Sequence, residues 1–167
     1  LQVYRLKTAK YTFECPLVMG ATLAGAPPAE IKKLSKLGVD AGIAFQIYDD
    51  FLDLFASEEV IGKPVLTDLA ESKKTLLVQA AHARLRGAAR KKLLGIMEKK
   101  NKKQKDLLAF RRLVVSSGAY AACLKEMTRL QKRALSACRT LAIKKEFRPT
   151  LEGIIAKLSP SKMPIQL

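Results

Sequence analysis

A chain of 167 residues with a 49% hydrophobic share is long enough to bury a core, and its 6% aromatic content beside abundant Leu, Ala and Lys points to an all-α fold. No apolar run reaches membrane-spanning length, and the three scattered cysteines, Cys15, Cys123 and Cys138, with no CxxC pair, read as buried apolar residues in a reducing, cytoplasmic setting. The net charge of +16 belongs to one stretch: residues 84–150 hold 20 of the 31 Lys and Arg but 4 of the 15 Asp and Glu, and the rest is neutral.

The simplest reading of residues 84–150 is a solvated helical surface; the sharper one is a face that seeks anions. Nucleic acid is the less favoured partner, because few aromatic residues are interleaved with the basic ones and no recognition motif is present. Peripheral contact with an anionic membrane is the expectation that suits such a face better.

In chain order, residues 4–26 read as a helix with a kink where Pro16 removes a backbone donor. The chain opens on Leu1 rather than Met in what already reads as mid-helix, so a piece of a longer protein is expected. Gly25-Ala26-Pro27-Pro28 is a stop and a restart. The apolar positions Ile31, Leu34, Leu37, Ala41, Phe45, Tyr48, Leu52 and Phe55, spaced by three and four, then predict a long helix from near Ala29 to about Ala56. Residues 57–72, with Gly62 and Pro64, read as a loop and a natural lid. A helix over 74–97 comes next, then a solvated turn at Lys99-Lys100-Asn101-Lys102-Lys103. Helices over 104–115 and 117–145 succeed it, the second with a core stripe through Tyr120, Cys123, Leu124, Met127, Leu130, Ala134, Leu135, Cys138 and Leu141. A short helix near 149–158 and a proline-containing tail finish the chain.

The chemistry is concentrated in Phe45–Asp53, where three carboxylates interrupt an apolar helix. Ionised carboxylates there lose hydration unless a basic partner or a metal compensates. On a helix Asp49 and Asp53 stack one turn apart, and Asp50 projects about 100° around from Asp49. Such a cluster suits magnesium, whose shell substrate phosphates complete. Lys7-Thr8 upstream, and Gly62-Lys63-Pro64, Asp68 and Lys73-Lys74-Thr75 downstream, supply the cations that a diphosphate requires. Taken singly, each is ordinary: an acidic helix face, surface lysines, a turn threonine. Their ordered combination carries the reading. His82 is the only histidine and reads as a satisfied or exposed helix residue, so Ser/His or Cys/His catalysis has little support, and Gly62-Lys63-Pro64 lacks the upstream glycine and following Ser/Thr of a phosphate-binding P-loop.

FQIYDDFLD, followed by GKPVLTDLAESKKTLL and preceded by KTAKYTFECPLVMGATLAGA, resembles the trans-isoprenyl diphosphate synthases, the polyprenyl synthetase family. The likeness is to the C-terminal half, in which DDxxD is the second of two aspartate-rich motifs. It covers most of residues 4–80 closely and the later helices in pattern, as in FRRLVVSSGAYAACL. The resemblance implies an isoprenoid-synthase helical bundle, with residues 1–167 as the C-terminal part of a polyprenyl synthase domain.

It also implies roles. Asp49 is the principal magnesium ligand, and Asp50 and Asp53 complete the acidic face. Lys7 contacts the allylic diphosphate with Thr8 beside it where a proton is removed, Gln46 lies beside the substrate, and Lys63 and Lys73 hold diphosphate. The implied activity condenses isopentenyl diphosphate with an allylic diphosphate in a magnesium-dependent homodimer. Two departures stand out: the first aspartate-rich motif is absent, so this chain alone is not expected to assemble the full metal cluster, and Ser72 replaces the glycine common before the lysine pair. The alternative from another class is a non-catalytic partner subunit of a prenyl diphosphate synthase.

Overall fold

In the computed structural model, residues 1–56, 69 and 71–158 are described. Among them every regular element is helical, as the composition predicts. They divide into two compact units, residues 1–48 with 126–158, and residues 49–125.

The first unit begins with a turn of helix, α1 (Gln2–Tyr4), which runs into a π-helical stretch (Arg5–Glu14) and then α2 (Cys15–Leu23). The irregularity expected at Pro16 lies just ahead of it. The wide ladder closes with the Cys15 N–H on the Lys10 carbonyl, and Pro16, having no N–H, takes its place in the first turn of the regular helix. Gly25, at φ +69°, ends α2, and α3 (Pro28–Phe55) starts on the second proline. Its 28 residues make a rod of about 42 Å. The core of this unit joins Leu34, Leu37 and Ala41 of α3 to Ala134 and Cys138 of α7 (Ala119–Arg139) and Ile155 of α8 (Arg148–Ala156).

The stripe predicted on α7 is the buried one, but the helix stops at Arg139 rather than continuing to 145. Long-range caps explain the stop. Arg148 donates to the Cys138, Arg139 and Leu141 carbonyls, and Glu30 Oε2 accepts the Ala142 N–H at 2.9 Å. Asp40, 5% exposed, is held by Arg133 at 3.1 Å; burial pushes its carboxyl above the ordinary aspartate value, and Arg133 pulls it back. Cys15 is exposed, against the expectation that all three cysteines are buried: α2 is apolar on every side, so periodicity could not tell its outer face.

The second unit packs α4 (Leu76–Arg84), α5 (Gly87–Glu98) and α6 (Gln104–Ser116) with the last turns of α3 and the start of α7. The single helix expected over 74–97 is two. Leu85 and Arg86 are extended, Gly87 takes φ +53°, and the Arg86 guanidinium caps α4 through the Ala83 and Leu85 carbonyls at 2.6 and 2.9 Å. Phe51, Phe55 and Tyr120 form an edge-to-face cluster, and burial raises the Tyr120 phenol.

The lysine run between α5 and α6 is more than a solvated turn. Lys102 Nζ donates to Ser72 Oγ at 2.9 Å and to the Lys99 carbonyl, while Lys99 Nζ meets Asp106 Oδ1 at 2.5 Å. Asp106 Oδ2 also accepts the Lys103 N–H at 2.9 Å, closing the N-terminus of α6. The Lys99 ammonium first, and that N–H second, hold the Asp106 carboxyl below the ordinary aspartate value. A lowered folded-state pKa contributes stability that is present above the unfolded value and is lost as pH falls through the folded one. Asp106→Asn is therefore expected to reduce stability at neutral pH and to flatten the acid limb below about pH 4, read as urea midpoints as pH is lowered.

Candidate active site

Thr8 and Gln46 meet in the first unit. Thr8, 8% exposed, donates from Oγ1 to Gln46 Oε1 at 2.6 Å, and Gln46 is half-buried on α3. Two glycines make this approach possible. A Cβ on Gly42 would lie 2.5 Å from Ala9 Cα, and one on Gly38 would lie 2.7 Å from Glu14 Cα, so the π-helical stretch rests directly on the α3 backbone. Lys7 is exposed beside Thr8. π-Helical segments often mark functional positions, and this one carries the Lys-Thr pair.

Gly42→Ala is expected to force the two backbones apart, loosen the Thr8–Gln46 bond and cost about 1–3 kcal/mol. Gly20 in α2 is the control: nothing lies within 4 Å of its added Cβ, and Gly20→Ala should be neutral or stabilising by roughly 0.5–1 kcal/mol. Equal urea midpoints for the two variants would contradict the packing.

The three aspartates lie in the last two turns of α3, within the second unit. Asp49 is half-buried, whereas Asp50 and Asp53 are 6% and 7% exposed. Asp50 lines a cavity of about 20 Å³ with Lys73, Thr75, Val78, Leu54 and Phe110, room for about one water molecule. Lys73 also pairs with Glu71 at 3.1 Å. Lys63, Gly62, Pro64 and Asp68, with most of the expected lid, lie outside the described residues. Among those described, no three His, Cys, Asp or Glu side chains converge on a common metal position. Asp50, about 100° around the helix from Asp49, lines the cavity with Lys73.

Ser72 holds φ +54°, a left-handed conformation that favours glycine, at the position where glycine was expected. Its Oγ compensates by donating to the Met97 carbonyl at 2.6 Å while accepting from Lys102. Thr75 caps α4 through Val78 N at 3.4 Å. Arg111, 2% exposed, was not singled out in the sequence. Its Nε donates to the Leu54 carbonyl at 2.6 Å and its Nη2 to the Ala56 carbonyl at 3.4 Å, closing the end of α3 just beyond the aspartates, and burial lowers its pKa. The signal was present: Leu107, Phe110, Arg111 and Val114 keep the i, i+3, i+4, i+7 core pattern with a cation at one position.

A family model described as Polyprenyl synthetase matches residues 1–114. The short chain isoprenyl diphosphate synthase of Methanothermobacter thermautotrophicus is 45% identical over 78 residues, 47% of this chain and 24% of that protein. The geranylfarnesyl diphosphate synthase of Aeropyrum pernix is 39% identical over 119 residues, 71% of this chain and 36% of that protein. The crystal structure of a geranylgeranyl pyrophosphate synthase from Corynebacterium glutamicum, complexed with isoprenyl diphosphate and magnesium, matches with a TM-score of 0.89 at 29% identity, over 96% of this chain and 45% of that one. The structural likeness thus extends to the later helices that the family model does not reach, and this chain spans less than half the length of each of these relatives.

Proposed function

The chain belongs to the polyprenyl synthetase family, and from that premise we propose that it supplies the C-terminal, second-motif part of a trans-prenyltransferase that condenses isopentenyl diphosphate with an allylic diphosphate. The observation that carries the reading is that one chain of this family holds Asp49, Asp50 and Asp53 at the end of α3 and Lys73 ahead of α4 in one unit, and a Lys-Thr pair on a π-helical stretch in the other.

Magnesium is the metal this family implies, and the donor set fits it in a limited sense. Magnesium keeps much of its shell for water and phosphate oxygens and takes one or two carboxylates from the protein, so convergence of three is not required. Asp49, with Asp53 one turn on, would hold it, and Asp50 would act from its place beside Lys73. The ion, when bound, neutralises charge on the diphosphate oxygens.

The chain's own groups do the rest. Lys7, Lys63 and Lys73 present ammonium charges to the diphosphate, which leaves with the electron pair of the allylic C–O bond. The alkene of isopentenyl diphosphate attacks the allylic carbon, and the departed diphosphate takes up the proton lost from the neighbouring carbon, close to Thr8, whose hydroxyl Gln46 orients. The bound substrate needs an apolar enclosure and a second acidic face. Leu6, Tyr11, Met19 and Leu23 are 58%, 78%, 58% and 88% exposed on the first helical stretch, a surface that the remaining part of the family fold would cover, whether in the same polypeptide or in a second chain.

Elongation of an allylic primer by isopentenyl diphosphate, assayed on the natural polypeptide that carries these residues, tests the proposal. Product formation abolished by chelation and restored by magnesium is expected. No elongation by a folded protein that nonetheless stimulates a complete synthase would replace this reading with the partner subunit.

A further inference from the structure

A groove of about 480 Å³ lies between α4 and α5 of the second unit, with Val78, Leu93 and Met97 as its floor and Lys74, Gln79 and His82 on its rim. That volume is within the roughly 300–1,000 Å³ of small-molecule sites. Val78 and Met97 also line the small cavity of Asp50 and Lys73, so the groove is a separate space behind those two side chains.

Its chemistry is one-sided. Among the described residues no carboxylate lines it. The Lys74 ammonium makes no ion pair among the described residues, and Arg90 Nε donates to His82 Nε2 at 3.2 Å, which puts a guanidinium beside the rim. Over residues 71–125 fifteen Lys and Arg face only Glu71, Glu98 and Asp106, and two of these acids are already paired, Glu71 with Lys73 and Asp106 with Lys99. Leu94 extends the apolar floor to solvent at 40% exposure. An apolar trough with a cationic rim selects a molecule with a hydrocarbon chain and an anionic head.

We propose that the α4–α5 groove binds a single-tailed anionic amphiphile, an alkyl phosphate in its simplest form. The chain lies over Val78, Leu93 and Met97, and the head is held by Lys74 and Arg90. The site does not depend on the proposed condensation and stands or falls separately from it.

Calorimetric titration with dodecyl phosphate below its micellar concentration tests the site, with inorganic phosphate and dodecyl maltoside as the head-only and neutral-head probes. Saturable one-to-one binding of dodecyl phosphate is expected, with both controls much weaker. Lys74→Gln should weaken it about tenfold and Leu94→Ala about fivefold, without change in far-ultraviolet circular dichroism. Equal binding of the maltoside or of inorganic phosphate, or affinity unaltered by both substitutions, would overturn the proposal. So would uptake by phosphatidylglycerol-containing vesicles with no binding of the monomer, which would assign the charge to a membrane surface instead of a groove.

Discussion

Arg111→Met is expected to lower the free energy of unfolding by roughly 2–3 kcal/mol and the melting midpoint by about 4–10 °C. Arg111 is 2% exposed and, among the described residues, bonds the backbone carbonyls of Leu54 and Ala56 at the end of α3. A charged donor bonded at 2.6 Å contributes about 1.5–3 kcal/mol, and the bond at 3.4 Å adds little. Methionine recovers some apolar burial, which keeps the expected loss below that of breaking a buried ion pair. The favourable field at a helix C-terminus also disappears with the guanidinium. Arg111→Lys should recover about half the loss, since one ammonium can serve a single carbonyl in that space. Urea unfolding with matched slopes is the measurement, and a methionine variant as stable as wild type would show that Arg111 does not hold the end of α3.

The elements that could be read in the sequence are those whose boundaries are local. The proline pair and the three-four spacing of Ile31 to Phe55 define α3 to within a residue at each end, and the turn after Lys99 separates α5 from α6 where expected. The missed features depend on partners far along the chain. α7 stops at Arg139 because Arg148 takes its last carbonyls and Glu30 takes the Ala142 N–H, and no pattern within 117–145 announces either. The break at Leu85-Arg86 was concealed by continuous periodicity, although Gly87 was there to permit it. The close seating of Arg5–Glu14 on α3 depends on the bare surfaces of Gly38 and Gly42, which no local pattern within that stretch reveals.

The candidate site divides in the same way. Residue type and helical spacing picked out Asp49, Asp50 and Asp53 with Lys7, Thr8 and Lys73 as candidates, and the family resemblance added Gln46. Which of them meet was not. Thr8 bonds Gln46, and Asp50, about 100° around the helix from Asp49, lines a cavity with Lys73. Ser72 shows a third case, in which the residue type departs from expectation while the backbone keeps the glycine-like conformation through two side-chain hydrogen bonds.

Asp49 is where the proposed chemistry is most exposed to test. Of the three acids it alone is half-buried rather than buried, so it is the one most open to a metal and a diphosphate arriving from solvent. Losing a metal ligand removes charge stabilisation worth several kcal/mol from the departing diphosphate, or about 10³ in rate. Asp50→Asn should have a smaller effect, since Asp50 acts from beside Lys73. The decisive measurement is kcat/KM for magnesium-dependent elongation by the natural polypeptide carrying these residues, wild type against Asp49→Ala, with folding checked by circular dichroism. A fall of about 10³-fold in a folded variant is the predicted result; undiminished elongation by Asp49→Ala would contradict it.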